Sequence, residues 1–334
     1  MVNKSGNRIL WLDSLKLFAI FLVVWGHVFL DMGYVDALKY TGLNGLIYSF
    51  HMPLFMTLSG YVSFKVISRQ GNIKRKFVQL IIPCLSLAII CHFLHYDNNF
   101  WYLKCLFYCY VIADLYYRIT FPGKAVLFCI LCFFLFPITA RYQYSYKIDF
   151  MLPFFFGGLF LREKQYIITK NLPTLLLVSG SCFLVCSIFW QKQYIYYFSK
   201  PNYIDYRFLI KAHKFLFDEM NLVMVGFRYI AGFCGTCFFI FLFEYIYSLK
   251  TRFCSLLSQL AQYGKYSLHI YILQSFFVSW GIMPFRFSIE NRNLYDYLYT
   301  PCYSLFILVL CICLANLLER NRYINLLLFG KYWK

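Results

Sequence analysis

Residues 8–27, RILWLDSLKLFAIFLVVWGH, form the first long apolar run of the chain and carry charge inside it. Asp13 and Lys16 lie in the first half of the run, and His27 lies at its end. An ionisable side chain at the centre of a bilayer costs about 2.5–3.5 kcal/mol on insertion scales, so such side chains usually face the interior of a helix bundle. This run therefore predicts a membrane helix that faces a polar site inside the protein.

The composition is typical of an integral membrane protein. Of the 334 residues, 61% are hydrophobic and only 14% are charged, and a water-soluble domain could not bury that much apolar surface. The 32 Lys and Arg residues outnumber the 14 Asp and Glu residues, which gives a net charge of +18. Because most of these cations lie in loops between apolar runs, we expect them to contact anionic lipid headgroups rather than nucleic acid.

The cysteines are predicted to be packing residues. All 14 lie in or close to apolar runs, and the one CxxC pair, Cys129 and Cys132, is inside such a run. Small thiols in apolar segments are ordinary core residues, and the sequence has no paired Cys and His clusters of the kind that bind metals. We therefore expect neither a metal site nor a disulfide.

Ten apolar runs approach the length needed to cross about 30 Å of hydrocarbon at 1.5 Å per residue. Loops on the side of the amino terminus carry roughly twice as many Lys and Arg residues as the opposite loops, which predicts ten crossings with both termini in the cytoplasm. The expected fold is all-α, a polytopic transmembrane helix bundle in which residues 1–334 form one domain. The runs are 9–30, 43–64, 77–96, 100–117, 123–140, 147–161, 172–190, 223–248, 266–283 and 301–318.

Four polar residues from separate helices are predicted to lie at one depth, in the half of the membrane away from the termini. They are His27, His51, Lys104 and Arg228. Four such groups at one level predict a shared polar cavity, with Trp101 at its boundary with water. Each residue also has a structural interpretation, since Lys104 and Arg228 could extend to lipid headgroups and His51 could bond to a backbone carbonyl.

Lys16 is expected on the same face of the first helix as His27. Eleven steps of 100° return to within about 20° of the starting direction, so the two side chains lie about 16 Å apart along one face. They cannot touch, but they can act on the two ends of one elongated ligand. Asp13 precedes Lys16 by three residues, and an ion pair between them is the structural alternative for both.

Two further groups of polar residues lie beside or within apolar runs. Lys74, Arg75 and Lys76 precede the third apolar run and are most simply anchors of the positive-inside kind, with phosphate binding as the alternative. In the ninth run, His269 lies in the half nearer the termini and Gln274 lies near the midplane.

The longest connection, residues 191–222, is rich in Tyr and Lys. One interpretation is a lid or an acceptor-binding surface, because sugars stack on aromatic faces. The other is a belt of aromatic residues at the membrane interface on a short amphipathic helix.

Several of these stretches resemble the acyltransferase-3 family of membrane proteins. The family pattern LDxLRGxAxxxVxxxH is similar to the first helix, where ten residues separate Lys16 from His27. Later landmarks of the family resemble HMPLFMTLSGY at 51–61, KRKFVQLIIPC at 74–84, FWYLKCLF at 100–107 and GKYSLHIYILQ at 264–274.

Two positions depart from the family pattern. Lys16 and Leu17 stand where the family usually has Arg-Gly, which keeps the charge but loses the planar guanidinium that binds phosphate or carboxylate at two points. Gln274 stands where many members have His, so the acid–base role that a histidine would have there is not expected.

The resemblance implies transfer of an acyl group, most often acetyl, to a hydroxyl of a cell-surface glycan or lipid-linked saccharide. The implied donor is cytoplasmic acyl-CoA, a co-substrate rather than a bound cofactor, and the implied location is the inner or plasma membrane of the cell. The acyl arm of the donor would run past Lys16 while the acceptor enters from the opposite side of the membrane.

The resemblance and the residue pattern together assign roles to individual side chains. His27 is the expected general base for the acceptor hydroxyl, or a transient acyl carrier, because imidazole titrates near neutral pH. A nearby cation or imidazole would stabilise the oxyanion of the tetrahedral intermediate. The predicted site residues are His27, Lys16, Asp13, His51, Lys104 and Arg228 for catalysis, Lys16, Lys74, Arg75 and Lys76 for the donor, and Trp101 and Gln274 for the acceptor.

Two other classes of function fit the same pattern. An exporter or transporter of polysaccharide or lipid-linked sugar is the main alternative, because polar residues inside a bundle also line conduits. A membrane domain that binds or senses a ligand without turnover is the other. Movement of unmodified glycan that survives loss of His27 would indicate transport, and ligand affinity without an acyl product would indicate binding alone.

Overall fold

A computed structural model describes residues 9–31, 42–68, 72–95, 100–141, 147–195, 200–204, 217–278 and 291–331. These residues are almost entirely helical, and none of them belongs to a β-strand. One isolated antiparallel bridge joins Ile204 to Phe217. The prediction of an all-α fold is confirmed.

Ten helices of the described chain follow the ten predicted apolar runs in order, namely α1–α6, α8, α9, α11 and α13. Boundaries that fall within the described residues agree with the predicted ones to within four residues. A 3-10 turn at Gln262–Tyr266 precedes α11. In chain order the helices are α1 (Leu10–Asp31), α2 (Leu43–Ile67), α3 (Ile73–Phe93), α4 (Trp101–Arg118), α5 (Lys124–Arg141), α6 (Ile148–Glu163), α7 (Gln165–Lys170), α8 (Leu172–Ile188), α9 (Glu219–Ser248), α10 (Arg252–Ala261), α11 (Ser267–Phe277), α12 (Arg292–Leu294), α13 (Thr300–Leu318) and α14 (Arg322–Phe329).

Four helical stretches of the described chain are long and apolar enough to cross a membrane on length and composition alone. They are Leu10–Phe29, Ile73–Phe93, Glu219–Ser248 and Tyr295–Leu318. The class of helical membrane protein is thus confirmed, while the number of crossings stays a prediction. Helix α2 shows why a predicted run need not be among these four stretches. It is buried along most of its length and therefore needs no apolar surface toward lipid.

Helix α1 occupies the centre of the bundle. About 61% of its membrane-length stretch is buried inside the protein, against 28–33% for the other three stretches. It contacts α2, α9, α10, α11, α13 and the 3-10 turn. A helix enclosed in this way can carry polar side chains at membrane depth, because they face protein rather than lipid.

Helices α2 and α6 cross at two glycines. A Cβ atom at Gly60 would lie 2.0 Å from the backbone oxygen of Phe155, and one at Gly158 would lie 2.0 Å from that of Thr57. Helices in membranes approach this closely where small residues remove the side chains between them. This crossing fixes the position of α2, which contributes residues to each of the cavities described below.

The end of α14 packs on α3 through a third glycine. Gly330 ends the helix with a positive φ of 60°, a conformation that favours glycine. A Cβ atom there would lie 2.5 Å from the backbone oxygen of Val78. The backbone contact brings the next residue, Lys331, to the first turns of α3.

Candidate active site

A cationic cavity of about 240 Å³, which we name the lysine cavity, lies near the start of α1. Four lysines from four parts of the chain line it, and no carboxylate does so among the described residues. Two of these lysines, Lys16 and Lys331, also contact carboxylates outside the lining, and the four together favour an anionic ligand. Its polar lining residues are Lys16, Ser59, Ser63, Lys76, Gln79, Tyr102, Tyr110, Lys265, Ser267, His269 and Lys331.

A second cavity, of about 430 Å³, adjoins the lysine cavity and is named here the entrance cavity. Its Arg162 is fixed in place, because Nη1 donates a hydrogen bond of 3.0 Å to the hydroxyl of Tyr61. A guanidinium held this way is well suited to bind phosphate. The entrance cavity shares Lys16, Val62 and Lys265 with the lysine cavity and adds Ile9, Leu12, Asp13, Tyr61, Lys65 and Arg162.

Gly264 places Lys265 beside Lys16. A Cβ atom at Gly264 would lie 2.1 Å from the backbone oxygen of Asp13, so the absence of a side chain lets the 3-10 turn lie directly on α1. Nζ of Lys16 is 3.0 Å from Oδ1 of Asp13, which is the ion pair that their spacing predicts. The Lys16 side chain remains 24% exposed and still faces both cavities.

His269 connects α11 to the last described residues of the chain. Its Nε2 lies 2.9 Å from Oε1 of Glu319, and the same carboxylate oxygen accepts a hydrogen bond from Nζ of Lys331. The His269 ring also packs on Phe329, with the ring centroids 4.1 Å apart. These contacts give His269 a structural role, since they hold Lys331 at the wall of the lysine cavity.

A third cavity, of about 90 Å³, lies toward the other end of α1 and is named the histidine cavity. It brings together four of the predicted site residues, His27, His51, Trp101 and Arg228. It contains two imidazoles and two basic side chains in a mainly aromatic wall. The lining residues are His27, Tyr48, His51, Met52, Trp101, Lys147, Phe150, Met151, Trp190, Tyr194, Ile195 and Arg228.

The hydrogen bonds of His51 define its tautomer. Nδ1 lies 2.7 Å from the backbone oxygen of Ile47, and since a carbonyl can only accept, Nδ1 carries the proton and Nε2 of the neutral ring is an acceptor. A Cβ atom at Gly26 would lie 3.7 Å from this Nε2. The acceptor nitrogen of His51 is therefore next to Gly26 of α1, the residue before His27. The hydroxyl of Tyr48 joins the same two helices by donating to the Gly26 oxygen at 3.0 Å.

The two basic side chains of the histidine cavity lie over aromatic rings. Arg228 is only 1% exposed, and its guanidinium carbon is 4.6 Å from the centroid of the Phe150 ring. Nζ of Lys147 is 3.9 Å from the Trp101 ring. Contacts of this kind stabilise a desolvated cation. Arg228 is therefore held inside the protein and does not extend to lipid headgroups.

The start of the 191–222 connection forms part of the cavity wall. Tyr194 and Ile195 line the cavity together with the preceding Trp190, and the Tyr194 ring packs on Phe227 of α9 with centroids 4.5 Å apart. This end of the connection thus fits the interpretation of an acceptor-binding surface. Residues 196–199 and 205–216 of the connection lie outside the described residues.

Four predicted site residues line none of these three cavities. Lys104 is half-buried. Gln274 is fully buried, with Nε2 donating to the backbone oxygen of Tyr271 at 3.4 Å. Lys74 and Arg75 are exposed at the start of α3. The next residue along the helix, Lys76, does line the lysine cavity.

Five cations of the cavities are absent from the residues predicted from sequence, namely Lys65, Lys147, Arg162, Lys265 and Lys331. Each lies next to a helix end or turn, where a basic residue is ordinarily an interfacial anchor. Two of them do carry a local signal, because Lys265 and Lys331 each follow a glycine that packs on the backbone of another helix.

The fold and the cavities define a helical membrane protein with polar sites toward the two ends of one central helix. A family model described as an acyltransferase domain matches residues 9–320. The chain therefore belongs to the acyltransferase-3 family, as its motifs indicate.

Two relatives give narrower matches. The chain is 25% identical over 218 residues to nodulation protein NolL of Sinorhizobium fredii (strain NBRC 101917 / NGR234), covering 56% of this chain and 58% of that protein. It is 37% identical over 86 residues to nodulation protein NolL of Mesorhizobium japonicum (strain LMG 29417 / CECT 9101 / MAFF 303099), covering 24% of this chain and 23% of that protein. Both matches span less than two thirds of these curated relatives. No solved structure matches the chain.

Proposed function

We propose that this protein is a multi-pass enzyme of the inner or plasma membrane that transfers an acyl group, most simply acetyl, from acyl-CoA to a hydroxyl of a cell-surface glycan or lipid-linked saccharide. Residues 1–334 would form one domain with ten crossings and both termini in the cytoplasm. The observation that carries the proposal is the placement of a cationic cavity and a histidine cavity along α1, where Lys16 and His27 are separated by about 16 Å of helix axis.

The donor is assigned to the lysine and entrance cavities. Acyl-CoA carries several phosphate charges, and charge-assisted hydrogen bonds from lysine and arginine are the strongest that proteins offer to phosphate. Lys16 and Lys76 retain their predicted role in this assignment. Lys265 and Lys331 take the place of Lys74 and Arg75, which are outside the cavity.

The acceptor is assigned to the histidine cavity. Trp101, Trp190 and Tyr194 present aromatic surface to it, and a sugar ring can place its apolar C–H face on an aromatic ring. A hydroxyl of the acceptor would then lie next to His27, which is half-buried in the same wall.

The reaction uses His27 as a general base. Its imidazole takes the proton of the acceptor hydroxyl while the oxygen attacks the thioester carbonyl carbon, which forms a tetrahedral intermediate. The carbon–sulfur bond then breaks, and the CoA thiolate takes the proton from the imidazolium. In the alternative route a ring nitrogen of His27 first accepts the acyl group and releases CoA, and the hydroxyl then displaces the imidazole. Both routes yield the ester and free CoA.

We assign Arg228 to the oxyanion of the intermediate, because its buried guanidinium lines the same cavity as His27. Removing one donor to such an oxyanion commonly lowers the rate by about 10² to 10³. His51 does not suit that role in its neutral tautomer, because its Nε2 accepts rather than donates. We assign His51 instead to orienting His27 or accepting its proton.

The test is replacement of His27 in cells that carry the full chain. His27→Ala should abolish the acyl increment that mass spectrometry detects on surface glycans, while the protein still inserts in the membrane. The matched control is His92→Ala, which removes an exposed histidine that lines none of the three cavities and should leave acylation unchanged. Acylation that survives His27→Ala would remove His27 from the mechanism, and glycans with no acyl increment in the wild type would refute the proposed reaction.

The exporter interpretation makes a different prediction for the same strains. Export of glycan that is unmodified in the wild type and unaffected by His27→Ala would favour transport. Among the described residues, no residue lines both the lysine cavity and the histidine cavity. That separation favours two binding sites over one open conduit.

A further inference from the structure

Three aromatic rings, which we name the aromatic partition, pack on one another at the part of the lysine cavity formed by α2 and α4. They belong to Phe55, Tyr102 and Tyr271. The Tyr102 ring centroid is 5.1 Å from that of Phe55 and 5.3 Å from that of Tyr271. All three side chains are buried, with Tyr102 only 1% exposed.

The lysine cavity and the histidine cavity lie close together, because neighbouring residues on the same helices line one or the other. On α4, Trp101 lines the histidine cavity and the next residue, Tyr102, lines the lysine cavity. On α2, Met52 lines the histidine cavity and Phe55, one turn further on, lines the lysine cavity. Along α2 and α4, the linings of the two cavities are thus no more than about one helical turn apart.

The hydroxyl of Tyr102 fixes the position of its ring. The oxygen lies 2.9 Å from Oγ of Ser59 and donates to the backbone oxygen of Phe55 at 3.3 Å. Oγ of Ser59 donates to the same Phe55 oxygen at 3.0 Å. Both partners are on α2, so these bonds join α4 to α2 at the level of the partition.

We propose that the Tyr102 ring limits the length of the acyl group that the lysine cavity accepts. This inference rests on the proposed function, in which the donor enters through the lysine cavity. The acyl group is the leading end of the donor arm and reaches the partition first. With the Tyr102 ring in place, a bound acetyl group ends at the ring, whereas a six-carbon chain extends further and collides with it. The ring moves aside only when the carbonyl carbon passes to a hydroxyl beside His27.

The experiment compares acetyl-CoA with hexanoyl-CoA on the full-length protein in lipid nanodiscs. The concentration of each compound that gives half of its maximal thermal stabilisation is measured for the wild type, Tyr102→Ala and Tyr102→Phe. One excess methylene in a tight pocket costs about tenfold or more, so the wild type should prefer acetyl-CoA by at least about tenfold. Tyr102→Ala should reduce this preference to about twofold, whereas Tyr102→Phe, which keeps the ring, should retain most of it.

Tyr110→Ala is the matched control, because Tyr110 is another buried tyrosine of α4 that lines the lysine cavity but lies outside the partition. It should change the affinity for both compounds alike and leave their ratio unchanged. If Tyr102→Ala does not fold, Tyr102→Leu replaces it and should show the same loss of preference.

Three results would overturn the inference. They are an unchanged ratio in both the Ala and Leu variants of Tyr102, an equal change of ratio in Tyr110→Ala, and a wild type that binds the two compounds equally. In each case acyl-CoA binding is intact, so the proposed function survives. A wild type stabilised by neither compound would instead refute the proposed function, and with it the premise of the inference.

Discussion

The crossing of α2 and α6 gives a stability prediction that has its own control. In Gly158→Ala the new Cβ atom would lie 2.0 Å from the backbone oxygen of Thr57 and 2.7 Å from the backbone nitrogen of Tyr61. The helices must separate by about 1.4 Å to restore an ordinary contact of 3.4 Å. Both opposing atoms belong to the backbone and cannot rotate away, so the strain has no cheap relief.

The expected cost is at the upper end of the range for overpacked cores, about 3 kcal/mol. At about 2–4 °C per kcal/mol for a chain of several hundred residues, the Tm of Gly158→Ala should fall by at least about 6 °C. Gly226→Ala makes the same change inside α9, where nothing lies within 4 Å of the new Cβ atom. It should raise stability by about 0.5–1 kcal/mol, because alanine favours a helix over glycine.

The assay is thermal unfolding of the purified full-length protein in detergent, followed by tryptophan fluorescence. Wild type, Gly158→Ala and Gly226→Ala are measured under one set of conditions. A Tm for Gly158→Ala within about 2 °C of the wild type, less than the shift expected from 1 kcal/mol, would refute the close crossing. Equal losses in both variants would show that the effect belongs to glycine in helices and not to this contact.

Two other predictions concern the lysine cavity. Lys76→Gln should raise the half-saturating concentration of acetyl-CoA about tenfold, since a hydrogen bond to a charged group contributes about 1.5–3 kcal/mol. The control is Lys170→Gln, which removes an exposed lysine outside the cavities and should leave that concentration unchanged. Equal affinities of the two variants for acetyl-CoA would argue against the donor assignment. Burial alone would raise the pKa of Glu319, but the hydrogen bond and charge of Lys331 outweigh it and lower that pKa below 4.5. Because the folded-state value is the lower one, the stabilisation is present above pH 4.5 and is lost as the pH falls through the folded-state pKa. Glu319→Gln should therefore flatten the dependence of Tm on pH below about pH 5, and an unchanged profile in that range would contradict the prediction.

The helices were predictable from sequence because their signal is local. An apolar run of membrane length is visible without any knowledge of its neighbours, and depth along a helix follows from counting residues. His27, His51 and Arg228 could therefore be placed at one level from sequence alone, and the structure brings them into one cavity.

Direction around the helix axis was harder to predict than depth. Lys104 was expected at the level of His27, but its side chain lines none of the cavities. Among Lys74, Arg75 and Lys76, successive side chains differ by 100° around α3, and only the last enters the lysine cavity. Which of these directions faces the site depends on where the other helices pack, and that information is not local.

The contributions of Lys265 and Lys331 depend on contacts far apart in sequence. Lys265 reaches the cavity because Gly264 rests on the backbone of Asp13, and Lys331 because Gly330 rests on the backbone near Val78. A sequence pattern can mark a glycine, but it does not say which distant backbone the glycine will meet.

The ammonium groups of the lysine cavity have a consequence for turnover. In the proposed reaction they contact the phosphates of CoA, which the chemistry does not change, so they bind free CoA as tightly as acyl-CoA. Such uniform affinity lowers KM without raising kcat. Free CoA should accordingly compete with its acylated form, and the modification of the cell surface would follow the ratio of the two in the cytoplasm, which couples it to the metabolic state of the cell.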